Sequence, residues 1–96
     1  MENIRVELSN IVELIDAKDY KTVDKALAEY LKDISDYIVF LGTNNIIAIE
    51  ELNALSKNMS SAIENKDYFL LKDVIKYALI SVYDQIFVTE EPSEDN

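Results

Sequence analysis

Apolar residues recur along this chain at helical spacing. Ile4, Leu8, Ile11, Val12 and Ile15 follow the i, i+4, i+7, i+8, i+11 order of one helix face and predict a first helix over residues 2–17. Tyr20, Val23, Leu27, Tyr30, Leu31, Ile34, Ile38 and Leu41 predict a second over residues 20–41, with Lys21, Lys25, Glu29, Lys32 and Asp36 on the opposite face. A weaker third stretch, residues 46–64, turns Ala48, Leu52, Leu55, Met59, Ala62 and Ile63 inward and is diluted by Asn53, Ser56, Asn58, Ser60 and Ser61. The fourth, residues 68–88, carries Leu71, Ile75, Ala78, Leu79, Val82 and Ile86. Asp19 is placed to cap the second helix through free backbone N–H groups. Gly42 follows that helix's last periodic residue and is expected at a left-handed C-cap, with an Asn or Thr of Thr43-Asn44-Asn45 capping the third helix. Residues 89–96 hold four acids, a proline and no apolar anchor, and are expected to be a disordered acidic tail.

The pattern repeats. Lys18-Asp19-Tyr20 recurs as Lys66-Asp67-Tyr68, 48 residues later. Ile15/Ile63, Leu31/Leu79, Asp36/Asp84 and Ile38/Ile86 coincide at the same offset, and Val23/Leu71, Leu27/Ile75 and Ile34/Val82 stay apolar. The chain therefore reads as two copies of a helical hairpin, residues 2–41 and 46–88, with Lys-Asp-Tyr at each turn. Short loops favour antiparallel neighbours. The expected fold is all-α, one domain over residues 1–88: an antiparallel up-down four-helix bundle of two homologous hairpins.

The fourth helix exceeds what such a bundle needs. On a wheel at about 100° per residue, Phe69, Ile80, Tyr83 and Phe87 fall outside the core stripe, and Leu70 and Tyr77 add a further apolar edge. A helix apolar nearly all round should be covered on more than one side. Phe69, Tyr77, Ile80, Tyr83 and Phe87 are thus expected to form an interface, a homodimer through the fourth helix being the simplest arrangement.

Composition narrows the chemistry. There is no His and no Cys, which removes Ser-His and Cys-His pairs, His-bearing metal sites and disulfides. A single glycine excludes glycine-rich phosphate loops. Nineteen acids face nine bases, a net charge of −10, so direct nucleic-acid binding is not expected. The paired acids Glu13/Asp16 and Asp33/Asp36 sit one helical turn apart and could share a hard cation, but a solvated face places acids the same way, and no metal or cofactor is expected. An alternative use of the charge is an acidic inhibitor or DNA mimic of the phage anti-defence kind, with Asp33, Asp36, Glu50 and Glu51 presented to a nucleic-acid-binding protein. No apolar run approaches ~18 residues, and the N-terminus lacks a signal pattern, so a cytoplasmic protein without a membrane partner is expected.

Two resemblances bear on function. Glu50-Glu51 with Glu64 and Asp67 resembles the acidic motifs of all-α nucleoside-triphosphate pyrophosphohydrolases of the MazG type, in which Glu-Glu-x-x-Glu and a later Glu-x-x-Asp hold magnesium; the third Glu position is Ala54 here. Lys66-Asp67-Tyr68-Phe69-Leu70-Leu71-Lys72-Asp73-Val74-Ile75-Lys76-Tyr77 is similar to a Lys-Asp-Tyr-x-Leu-Leu-x-Asp-x-Leu-x-Tyr stretch of small helical proteins of clostridia and bacilli, some encoded near motility genes. That second resemblance implies no catalytic residue and favours an accessory protein. The resulting expectation is a non-enzymatic protein–protein interaction module, of adaptor, chaperone-like or regulatory class.

Overall fold

The computed structural model describes residues 3–87, and the protein is all-α. The expected tail, and the expected helix ends at residues 2 and 88, lie outside the described residues. Helix α1 spans Ile4–Asp16, α2 Tyr20–Thr43 and α3 Ile49–Glu64. The last helical stretch, residues 68–87, is one continuous rod in three parts: α4 (Tyr68–Val74), a π-helical segment (Ile75–Ile80) and α5 (Ser81–Phe87). Backbone angles remain right-handed through both joints, at Val74, Ile75 and Ser81.

Both Lys-Asp-Tyr turns are built alike. Asp19 accepts a hydrogen bond from the Thr22 N–H at 3.4 Å, and Asp67 one from the Leu70 N–H at 3.1 Å. Before each cap, a lysine takes a left-handed conformation, Lys18 at φ 60 and Lys66 at φ 53. The Asp19 N–H reaches back to the Leu14 carbonyl and the Asp67 N–H to that of Ala62, while Lys18 and Lys66 donate to Ile15 and Ile63. These bonds are the two halves of a Schellman stop, satisfying carbonyls that a helix end leaves free.

The same device ends α2, and it corrects an expectation. The left-handed residue is Asn45 (φ 56), with Ile46 N–H bonded to the Leu41 carbonyl, and Gly42 lies inside the helix without a positive φ. Glycine is needed there for space. A Cβ at Gly42 would meet Leu52 Cδ2 of α3 at 2.6 Å. After Asn45 the chain bends through Ile46 and Ile47 and is extended at Ala48, so α3 begins at Ile49 rather than 46 and has no side-chain N-cap.

The core is drawn unequally from the helices. Helix α1 buries Ile4, Leu8, Ile11 and Ile15, as its periodicity predicts. Helix α2 buries Val23, Ala26, Ile34, Tyr37 and Leu41, and Leu31, expected inside, is 57% exposed. Tyr37 is fully buried and its hydroxyl donates to the Leu79 carbonyl at 2.9 Å, entering the backbone ladder of the π segment. Burial drives the Tyr37 phenol well above the ordinary tyrosine range.

Cross-helix contacts set the directions. Arg5 pairs with Asp84 at 2.9 Å and Lys72 with Asp16, so α1 runs against the rod. Asn10 donates to the Tyr30 hydroxyl, joining α1 to α2. Tyr20 meets Tyr68, Tyr37 meets Tyr83 and Phe40 meets Phe87, so α2 and the rod run the same way. At the start of these helices, inward positions match at an offset of 48 (Val23/Leu71, Ala26/Val74), but from Leu79 in the π segment onward at 49 (Tyr30/Leu79, Ile34/Tyr83, Tyr37/Ile86). The π turn accommodates one additional residue in the rod.

Candidate interaction surfaces

The extra residue decides what becomes of the apolar fourth helix. One added residue rotates everything beyond it by about 100°. Phe69 and Tyr77 remain outward, 76% and 69% exposed, and Phe87 is 50% exposed. Ile80, by contrast, is half-buried beside Arg5, Ser9 and Val12 of α1. Tyr83 is half-buried too, edge-on to Tyr37 at 6.1 Å and 4.7 Å from Phe87, whose ring lies 6.3 Å from Phe40. The stripe expected from a uniform wheel is therefore divided: Phe69 and Tyr77 stand free of the core, and Ile80 and Tyr83 pack against it. The Lys76 ammonium sits 5.4 Å from the Tyr77 ring centroid, within cation–π range.

Tyr77 also edges a groove between α3 and the rod. The groove holds about 370 Å³; Leu55, Ala54 and Ile47 face Val74, Ala78 and Val82, with Glu51 and Asn58 at its margin. On the other side of α3, two shallower grooves of about 290 and 270 Å³ share Leu31 and Ile63 and follow the α2–α3 seam. Exposed Leu31, Val39 and Ile63 border them. Sequence reasoning missed this seam. The available signal was the alternating spacing Val23, Leu27, Tyr30, Ile34, Tyr37, Leu41, which leaves Leu31 and Val39 off the inward line.

The candidate acids do not converge. Glu50 and Glu51 lie in the first turn of α3, where a helix dipole favours them, and Glu64 is its last residue. Fourteen residues of rise, about 21 Å, separate Glu50 from Glu64. The Asp67 carboxylate is occupied as a cap. The pyrophosphohydrolase-like set is thus split between two ends of one helix, and among the described residues no group of three or more acids has metal-binding geometry. Asp36 pairs with Lys32 at 3.0 Å. Asp33 faces Glu7 across the α1–α2 seam, where burial, followed by Asp33 and the charge of Glu29, holds the Glu7 carboxyl above its usual range.

At the turn end, Tyr20 and Tyr68 stack with centroids 4.3 Å apart and 13° between planes. Asp24 accepts from the Tyr68 hydroxyl at 3.0 Å and from Lys66 at 2.9 Å. The Lys66 bond, with that of Tyr68, holds Asp24 below the ordinary carboxylate range. Here the two rings pack on each other, and the Tyr68 hydroxyl is held by the Asp24 carboxylate.

No helix among the described residues is long and apolar enough to cross a membrane. Comparison of the chain with protein-family models, curated proteins and solved structures finds no match.

Proposed function

We propose that this protein is a non-catalytic protein–protein interaction module, an antiparallel four-helix bundle of two homologous hairpins that forms a homodimer through the Phe69–Tyr77 face of its rod. The bundle reading is supported by the paired Schellman turns and by the stack of Tyr20 on Tyr68, since residues related by a two-fold axis touch only where they lie on it. The interaction reading rests on one observation: two large aromatics, separated by two helical turns, stand free of the core on one face. Contiguous exposed apolar surface on a small protein marks a binding site, and central aromatics there contribute about 1–3 kcal/mol each. Asp73 and Lys76 flank Tyr77 and can pair across a two-fold axis, fixing register. Cytoplasmic residence belongs to the same proposal.

Sedimentation of the wild type against Phe69→Glu and Tyr77→Glu tests it. The expected result is a dimer that each substitution dissociates while circular dichroism stays unchanged. Ile80→Glu is the wrong probe, because Ile80 packs on α1 and a charge there attacks the fold itself. A monomeric wild type at high micromolar concentration, or dimers indifferent to both substitutions, overturns the reading.

A further inference from the structure

Every cross-helix hydrogen bond and ion pair described above joins α1, α2, the second turn or the rod, and none involves α3. Helix α3 buries only Leu55, Met59 and Ala62. It has no side-chain N-cap and is flanked by grooves on both sides. The repeat says why. At the offset of 48, the α1 residues Leu8 and Val12 become Ser56 and Ser60 in α3, both lining the α2–α3 groove, and Arg5, which holds Asp84, becomes Asn53. The two connections are short, but each contains a left-handed residue, Asn45 or Lys66, at which the chain already changes direction.

From these observations we infer that α3 is a gate: it leaves its seat as a unit, between the turns at Asn45 and Lys66, while α1, α2 and the rod stay docked. Opening bares Val74, Ala78 and Val82 on the rod and Ile34 and Ile38 on α2. Few buried apolar contacts and low local packing density are the physical marks of a segment that opens below the global unfolding free energy. This inference stands independently of the dimer proposed above, since it concerns α3 within one chain.

Native-state hydrogen exchange at rising denaturant is the test. Amides of residues 52–62 should exchange at least about 100-fold faster than those of residues 8–15, through an opening with weak denaturant dependence. The double substitution Ser56→Leu, Ser60→Val restores the apolar pattern of α1 and should narrow the difference to under about 10-fold. Equal protection of α1 and α3 in the wild type, merging into one global opening, overturns the inference. So does a folded double variant in which the gap is unchanged. Should that variant not fold, the wild-type comparison alone decides the matter.

Discussion

Helices α1 and α3 occupy equivalent places in the repeat, and the molecule treats them differently. Helix α1 puts three side chains at zero exposure and is tied by Arg5 to Asp84, by Asp16 to Lys72 and by Asn10 to Tyr30. Helix α3 has similar length and the same Schellman stop, yet none of the cross-helix hydrogen bonds and ion pairs described above reaches it. Backbone design is therefore shared between the copies, and attachment strength is set by a few side chains. At the 48-residue offset, Leu8 and Val12 of α1 correspond to Ser56 and Ser60 of α3, and that exchange of apolar for polar side chains is the difference the gate proposal rests on.

The largest effect that can break this comparison is a cavity in each helix. Leu8→Ala should cost about 3–4 kcal/mol, a large share of the stability of a domain this size. Leu55→Ala, bordered by a groove that can collapse, should cost about 2 kcal/mol and leave the α1 contacts intact. Urea unfolding followed by circular dichroism measures both. Equal losses would show that α3 is as firmly seated as α1.

The next effect sharpens the comparison at the turns. Lys18→Gly removes the left-handed strain of a non-glycine residue and should stabilise by about 1 kcal/mol. Lys66→Gly should stabilise less, because Lys66 also pairs with Asp24. Thermal melts of the two variants give the order.

A pH series distinguishes the helices further. Glu7 on α1 has its folded pKa raised, so its stabilising, protonated form is fully present below the unfolded pKa and is lost as pH rises through the folded one. Glu7→Gln should therefore raise stability at neutral pH, by less than about 1 kcal/mol, with the gain vanishing in acid. Asp24 has the opposite sign: its contribution is present above the unfolded pKa and is lost as pH falls through the depressed folded value. Asp24→Asn should thus weaken the protein at neutral pH and be silent in strong acid.

The smallest effect is at Gly42. An alanine there gains about 1 kcal/mol of helix propensity but pushes on the tip of Leu52, which can move. Near-zero net change is expected for Gly42→Ala, and clear destabilisation for Gly42→Val, where the larger side chain cannot be accommodated by one methyl shift.

Most of the helical content was legible because each stretch is amphipathic, and Asp19 and Asp67 announced both turns. What was not legible has identifiable causes. Gly42 reads as a conformational residue because glycine serves both as left-handed cap and as close-approach residue, and a single chain does not separate the two. The polar hydroxyl of Tyr37 hides its place in the 3–4 alternation of α2. The interface stripe assumed a uniform wheel. Leu71, Ile75, Leu79 and Tyr83 are spaced by four throughout, a drift of about 40° per step that an α-helix cannot keep facing one core, and that spacing was the available sign of the π turn.

That π turn has a consequence for how the chain can vary. It behaves as an absorbed insertion: inward positions pair with those of α2 at an offset of 48 before it (Val23/Leu71) and of 49 after it (Ile34/Tyr83). A length change that would ordinarily scramble every downstream contact is confined to six residues. The rod thus accommodates a frame of 48 at one end and 49 at the other, so a chain of this kind can vary by insertion as well as by substitution.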